Sequence, residues 1–172
     1  MASTWGMTPT QERTTQMPKI ITCLWFDGEA EQAAAFYTGI FPNSEVSTVT
    51  HFGPDMPGPD GSVATVSFTL DGREFLGLNG GPLFHFSEAI SFPIFCADQA
   101  EVDHYWERLT DGGEESDCGW LKDRFGLSWQ VIPQVFVDLM QGGNPDAARR
   151  ATYAMLGMKK FDVAEIKRAA AG

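Results

Sequence analysis

The stretch that decides the fold is Cys118-Gly119-Trp120-Leu121-Lys122-Asp123-Arg124-Phe125-Gly126-Leu127-Ser128-Trp129-Gln130-Val131-Ile132-Pro133. It reads as a turn feeding a strand. Asp123-Arg124-Phe125-Gly126 supplies the turn, with Gly126 best able to take a positive φ. Leu127 to Ile132 is rich in aromatic and β-branched residues and stops at Pro133, which has no N–H for a ladder. Alternation sets Ser128, Gln130 and Ile132 on one face and Leu127, Trp129 and Val131 on the other. Two tryptophans and an amide in so short a span fit the apolar wall of a pocket with one polar group to orient a ligand. Residue types alone favour two core tryptophans and a surface amide, since aromatic residues mostly fill cores.

Working back toward the N-terminus, the same order of elements appears twice. Residues 19–26 form an apolar run of strand length, and Asp27 is placed to cap a helix. Ala30, Ala33, Ala34, Tyr37, Ile40 and Phe41 then make one helical stripe that Pro42-Asn43-Ser44 stops. Strands follow over Glu45 to Phe52 and Ser62 to Leu70, with a Pro/Gly loop between them. Asp71-Gly72 makes a tight hairpin into Arg73 to Leu78. The second round opens with a strand from Ala89 to Phe95. Asp98 and Glu101 then form a capping box for a helix carrying Val102, Tyr105, Trp106 and Leu109, which Gly112-Gly113 ends. The halves superimpose without a gap, Thr22 on Ser91, Trp25 on Ile94, Phe26 on Phe95, Tyr37 on Trp106 and Ile40 on Leu109. Such self-similarity marks an internal repeat. A β-α-β-β-β unit used twice gives two half-sheets with a cleft between them as the natural ligand site.

The ends differ from the middle. Residues 1–16 are polar and are expected to be a disordered extension, with Met17-Pro18-Lys19 opening the folded part. Asn144-Pro145-Asp146 starts a helix that Gly157 stops, and Asp162 with Glu165 caps a second helix running to Ala170. Residues 144–172 are thus a helical tail.

The totals exclude several functions. The 172-residue chain carries a formal net charge of −11, which argues against nucleic acids and anionic membranes as partners. No stretch is apolar enough to span a bilayer. Cys23, Cys96 and Cys118 form no C-x-x-C pair. Their odd number, with no secretory signal, suits a reducing cytoplasm.

Taken together, Leu24-Trp25-Phe26-Asp27-Gly28, Ala34-Ala35-Phe36-Tyr37, Ile40-Phe41-Pro42-Asn43-Ser44, Leu78-Asn79-Gly80-Gly81-Pro82, Ser87-Glu88-Ala89-Ile90-Ser91-Phe92, the Cys118–Pro133 block and Met155-Leu156-Gly157-Met158-Lys159-Lys160-Phe161-Asp162 resemble the PhnB-like proteins of the vicinal oxygen chelate (glyoxalase and bleomycin-resistance) superfamily. The resemblance covers Lys19 to Gly172. It implies an α+β fold of paired β-α-β-β-β modules, at about 19–79 and 89–135 within a 17–143 domain, assembled as a homodimer. Many such sequences carry the label 3-demethylubiquinone methyltransferase.

Metal-dependent relatives place His, Glu or Gln at four points. The resemblance puts these near Thr22, Ser91, Leu76 (or Glu74) and Gln130. Hydroxyls and one amide do not hold a transition ion, so neither metal nor other cofactor is expected. His51, His85 and His104 read as surface or packing residues, Cys118 as a packed thiol, and Asp123 and Lys122 as turn residues. Methyl transfer from S-adenosylmethionine calls for a glycine-rich turn after the first strand of a parallel sheet, and Phe26-Asp27-Gly28-Glu29 is not one.

Two classes of function remain open. In the first, the chain binds a small apolar or aromatic molecule, with Trp25, Phe26, Phe95, Trp120 and Trp129 as walls and Thr22, Ser91 and Gln130 as polar handles. Alternation puts Thr22 and Trp25 on opposite faces, so which strand face lines the pocket stays open. In the second, it is an enzyme: a metal-dependent lyase, isomerase or dioxygenase, or the methyltransferase of the label.

Overall fold

Burial follows the repeat along the two helices, where Tyr37 matches Trp106 and Ile40 matches Leu109, but not along the first strands, where the gapless alignment fails: Phe26 is buried and Phe95 is exposed. The computed structural model describes residues 20–172, so the expected N-terminal extension and its boundary at Met17 lie outside the described residues. The first module runs β1 (Thr22–Phe26), α1 (Ala30–Thr38), β2 (Glu45–His51), β3 (Val63–Leu70) and β4 (Arg73–Asn79). The second runs β5 (Ser91–Cys96), α2 (Gln99–Thr110), β6 (Glu114–Glu115), β7 (Trp120–Lys122) and β8 (Ser128–Pro133). Each module is one four-stranded sheet, ordered β1-β4-β3-β2 and β5-β8-β7-β6. The pairs β1–β4 and β5–β8 are parallel and the others antiparallel. The α+β fold of paired β-α-β-β-β modules is therefore borne out.

Each sheet buries one face under its own helix. Along β3, Ala64, Val66, Phe68 and Leu70 are buried while the residues between them are half-buried. The alanines of α1 let the helix sit close, and at Gly77 an added Cβ would lie 3.1 Å from the Ala30 Cβ. Asp27 does not cap α1. Gly28, at φ +90°, turns the chain so that Glu29 is the N-cap residue, with no side-chain bond of its own. The side-chain oxygen of Asn79, at the end of β4, accepts from the Ala30 N–H instead (2.9 Å). In α2 the expected cap forms: Asp98 accepts from the Glu101 N–H at 3.0 Å. The Glu101 carboxylate returns to the Ala97 N–H at 2.7 Å.

The helix sides of the two modules merge into one core. Phe41 stacks on both Tyr105 and Trp129 (5.2 and 5.3 Å between ring centroids), and Phe125 meets Phe26, Phe36 and Tyr37. Among the described residues, the opposite faces carry the exposed Phe95 and the half-buried Trp25, Leu78 and Trp120.

Helices α3 (Gln134–Gln141), α4 (Pro145–Met155) and α5 (Val163–Ala171) complete the chain. The caps at Asn144 and Asp162 form as expected. The tail docks on the second module. The N–H groups of Cys118 and Gly119 donate to the carbonyls of Met158 and Lys159, both at 2.7 Å. Phe161, 2% exposed, fills the space over Gly119, where a Cβ would come within 2.4 Å of its ring. The Gln99 amide joins the Phe161 carbonyl (3.1 Å) and the Val163 N–H (2.8 Å) to α2.

Candidate functional site

Alternation and register assign every expected site residue to a face. Thr22, Leu24 and Phe26 point to the helix side with their β4 partners Phe75 and Gly77, and Trp25 points to the open side beside Leu78. In the second sheet Phe92, Trp129 and Val131 face the helix, while Ser91, Phe95, Gln130 and Trp120 share the open face. Phe26 and Trp129 are each 3% exposed. These two are core residues, a correction to their expected place at a ligand. Thr22 also lies on the helix side, accepting from Arg73 Nη2 at 3.3 Å, and lines a separate cleft of about 340 Å³ with Ile20, Ile21 and Glu74.

The five residues on open faces divide between two clefts and the sheet surface. Trp25 walls a cleft of about 710 Å³ with Phe52, Pro57, Pro59, Val63 and Leu78. Its indole N–H donates to the Gly81 carbonyl at 2.8 Å and its ring meets Phe84 edge-on at 4.9 Å, so the wall is fixed. Trp120 walls a second cleft of about 380 Å³ on the other sheet, with Lys122, Ser128 and Glu88. Gln130 Nε2 donates to Ser91 Oγ at 2.8 Å, so these two handles bind each other. Phe95 stands 59% exposed.

Asp123, read from sequence as a turn residue, is 3% exposed. One oxygen accepts from the N–H groups of Phe125 (2.8 Å) and Leu127 (3.1 Å), the other from the Tyr37 hydroxyl and the Trp129 indole (both 2.8 Å). Burial pushes its carboxyl above the ordinary aspartate range, with those hydrogen bonds opposing it. Burial and the neighbouring carboxylate hold the Tyr37 phenol well above its ordinary value. Cys96, pushed up to about 12 by burial and by Glu101 and Asp98, is an inert thiol.

The donor set does not fit a catalytic metal. Of the four expected points, Thr22 is turned to the helix side and Ser91 and Gln130 are spent on each other. Among the described residues no group of three or more His, Cys, Asp or Glu side chains could hold an ion. Nor do the residues fit an S-adenosylmethionine cradle of the doubly wound type. The turn before α1 has one glycine, and the first helical N–H is taken by Asn79.

The sequence signature of the 3-demethylubiquinone-9 3-methyltransferase family matches residues 18–132. The chain belongs to that family. It is similar to a PhnB protein from Bacillus cereus at 33% identity, covering 67% of this chain and 99% of that one, with a TM-score of 0.62. It shares its fold with protein PA1353 from Pseudomonas aeruginosa (19% identity, 68% and 98% covered, TM-score 0.56). No curated protein matches it. The family signature ends at residue 132, near the end of β8, so it does not extend over α3 to α5 as the resemblance through Gly172 implied.

Proposed function

We propose that this chain is a cytoplasmic binding protein for a small apolar or aromatic molecule, working as a homodimer. The observation that carries this reading is the cleft at Trp25. Its volume is in the range of sites that enclose a small organic ligand, and its walls are mainly aromatic, aliphatic and proline. The indole is held by Gly81 before any ligand arrives, which lowers the entropy cost of binding. The polar groups that line it, Asp27, Glu31, Gln32, Ser62, Asn79 and the Gly80-Gly81 backbone, serve to orient a ligand. No nucleophile with an adjacent base lines it, so binding without turnover is the function these residues support.

The homodimer rests on the open faces. Leu83, Phe84, Ile90 and Phe95 are 58–71% exposed, an apolar concentration on the inter-module linker and β5. A second copy laid on these faces would bury them and bring a module of one chain over a cleft of the other.

The test is fluorescence titration with N-phenylnaphthylamine, a neutral apolar probe. Saturable binding is expected, weakened about tenfold or more in Trp25→Ala, since a buried aromatic anchor carries much of the energy at such sites. Equal affinity for wild type and variant removes the function from this cleft.

A further inference from the structure

Register across the second sheet places Ser91, Ser128, Lys122 and Glu114 in one row on the open face, with Gln130 and Trp120 in the next. Within that row two serines have different fates. The Ser91 hydroxyl is bonded to Gln130. Ser128 is 1% exposed and its hydroxyl has no hydrogen-bond partner. Buried hydroxyls are nearly always bonded, because a bare one forfeits its hydration without return. This one lines the 380 Å³ cleft. That hydroxyl is sealed at the wall of the cleft, so a partner from outside the fold reaches it only through this cleft.

The surroundings define the chemistry. Three carboxylates, Glu88, Glu114 and Glu115, line the cleft against one ammonium, Lys122. Lys122 is already paired with Glu88 at 2.5 Å. Glu115 accepts from the Trp106 indole at 2.9 Å and lies 3.8 Å from Lys159. Glu114 makes no salt bridge among the described residues. An anion would have to take Lys122 from Glu88 and sit beside Glu114. A cation meets net negative charge, three carboxylates with Lys122 set opposite Glu114 and paired to Glu88, and the Trp120 ring, whose face attracts positive charge. We infer that this cleft binds a small organic cation, an ammonium on an aromatic or apolar body. Its N–H donates to Ser128 Oγ, its charge faces Glu88 and Glu114, and its body lies against Trp120.

This site is independent of the Trp25 cleft and is tested separately from it. Benzylamine, benzyl alcohol and benzoate share a ring and differ in charge, and each is titrated calorimetrically into the full chain at neutral pH. Benzylamine is expected to bind about tenfold or more tightly than the other two, and more weakly as salt is raised. Ser128→Ala is expected to weaken it by about tenfold or more, the scale of a hydrogen bond to a charged group. That variant loses no internal bond, so its thermal unfolding midpoint should not fall, and lost binding cannot be charged to misfolding. Trp25→Ala should leave benzylamine binding unchanged while weakening N-phenylnaphthylamine. Benzoate binding as tightly as benzylamine, unchanged affinity in Ser128→Ala, or no heat with millimolar benzylamine would each overturn the inference, whatever the apolar probe does.

Discussion

The Tyr37 hydroxyl donates to Asp123 Oδ2 at 2.8 Å across 86 residues of sequence, tying α1 of the first module to the turn before β8 of the second. The same oxygen takes the Trp129 indole N–H, and the other oxygen takes two backbone N–H groups. Four donors therefore converge on one buried carboxylate at the junction of the modules.

Removing the acceptor leaves all four donors stranded. Asp123→Ala is expected to cost about 3–5 kcal/mol, the scale for breaking a buried charged network. Tyr37→Phe removes one donor of four and should cost about 1–2 kcal/mol. Urea unfolding measures both, and a Tyr37→Phe chain as stable as wild type would take this bond out of the account of the junction.

The same carboxylate has a signature in acid. Its folded pKa lies above the unfolded value, so the native state binds the proton more tightly than the unfolded chain. Its contribution is fully present below the ordinary aspartate pKa and is lost as pH rises through the raised folded value. In Asp123→Asn this falling component disappears, and stability should rise more steeply with pH just above the ordinary aspartate range. Unfolding free energies across that window decide it, and parallel pH profiles for the two chains would count against the raised pKa.

Trp129 is in the core, so Trp129→Ala should cost about 3–5 kcal/mol. Its effect on N-phenylnaphthylamine should be small once the folded fraction is corrected for. A stability loss below about 1 kcal/mol would contradict its burial.

Homodimerisation predicts a scattering mass near twice the 18.9 kDa of one chain at micromolar concentration. Phe95→Glu, on the open face of β5, should return the protein to single chains. A mass of one chain for the unmodified protein refutes the dimer.

Much of the fold could be read in advance because its signals are local. The stripe of alanines before Tyr37, the alternation through Ser128-Trp129-Gln130-Val131 and the caps at Asp98, Asn144 and Asp162 each need only neighbouring residues. Elements without such signals were not legible. The strands β6 and β7 have two and three residues, too few for a period to show. Helix α3 follows Pro133 with no side-chain cap, and a proline that ends a strand hides the helix beginning beside it. The β5 strand starts at Ser91 rather than Ala89, leaving Ile90 70% exposed. At the candidate site, residue types were easier to read than faces. Trp25 and Trp120 do line clefts, whereas Thr22, Phe26 and Trp129 lie on the helix side, which only the register with β4 and β5 settles. Asp123 and Ser128 gave no sign of their burial, because a short polar residue beside a turn looks the same whether or not its surroundings close over it.

The docking of the tail sets a timetable for the newborn chain. Domains generally fold as they emerge, the N-terminal part first. The first module has all its own strands by Asn79, so its sheet and α1 can pair before the second module, which completes its core, has emerged. The second cannot finish on its own strands, because the N–H groups of Cys118 and Gly119 wait for carbonyls at Met158 and Lys159 and the space over Gly119 waits for Phe161. Its last partners lie well beyond β8 in the chain, after α4. Limited proteolysis of ribosome-bound chains stopped at Gly157 should therefore find the first half protected and the second still open to cleavage, and equal protection of both halves would show that the tail arrives on a module already closed.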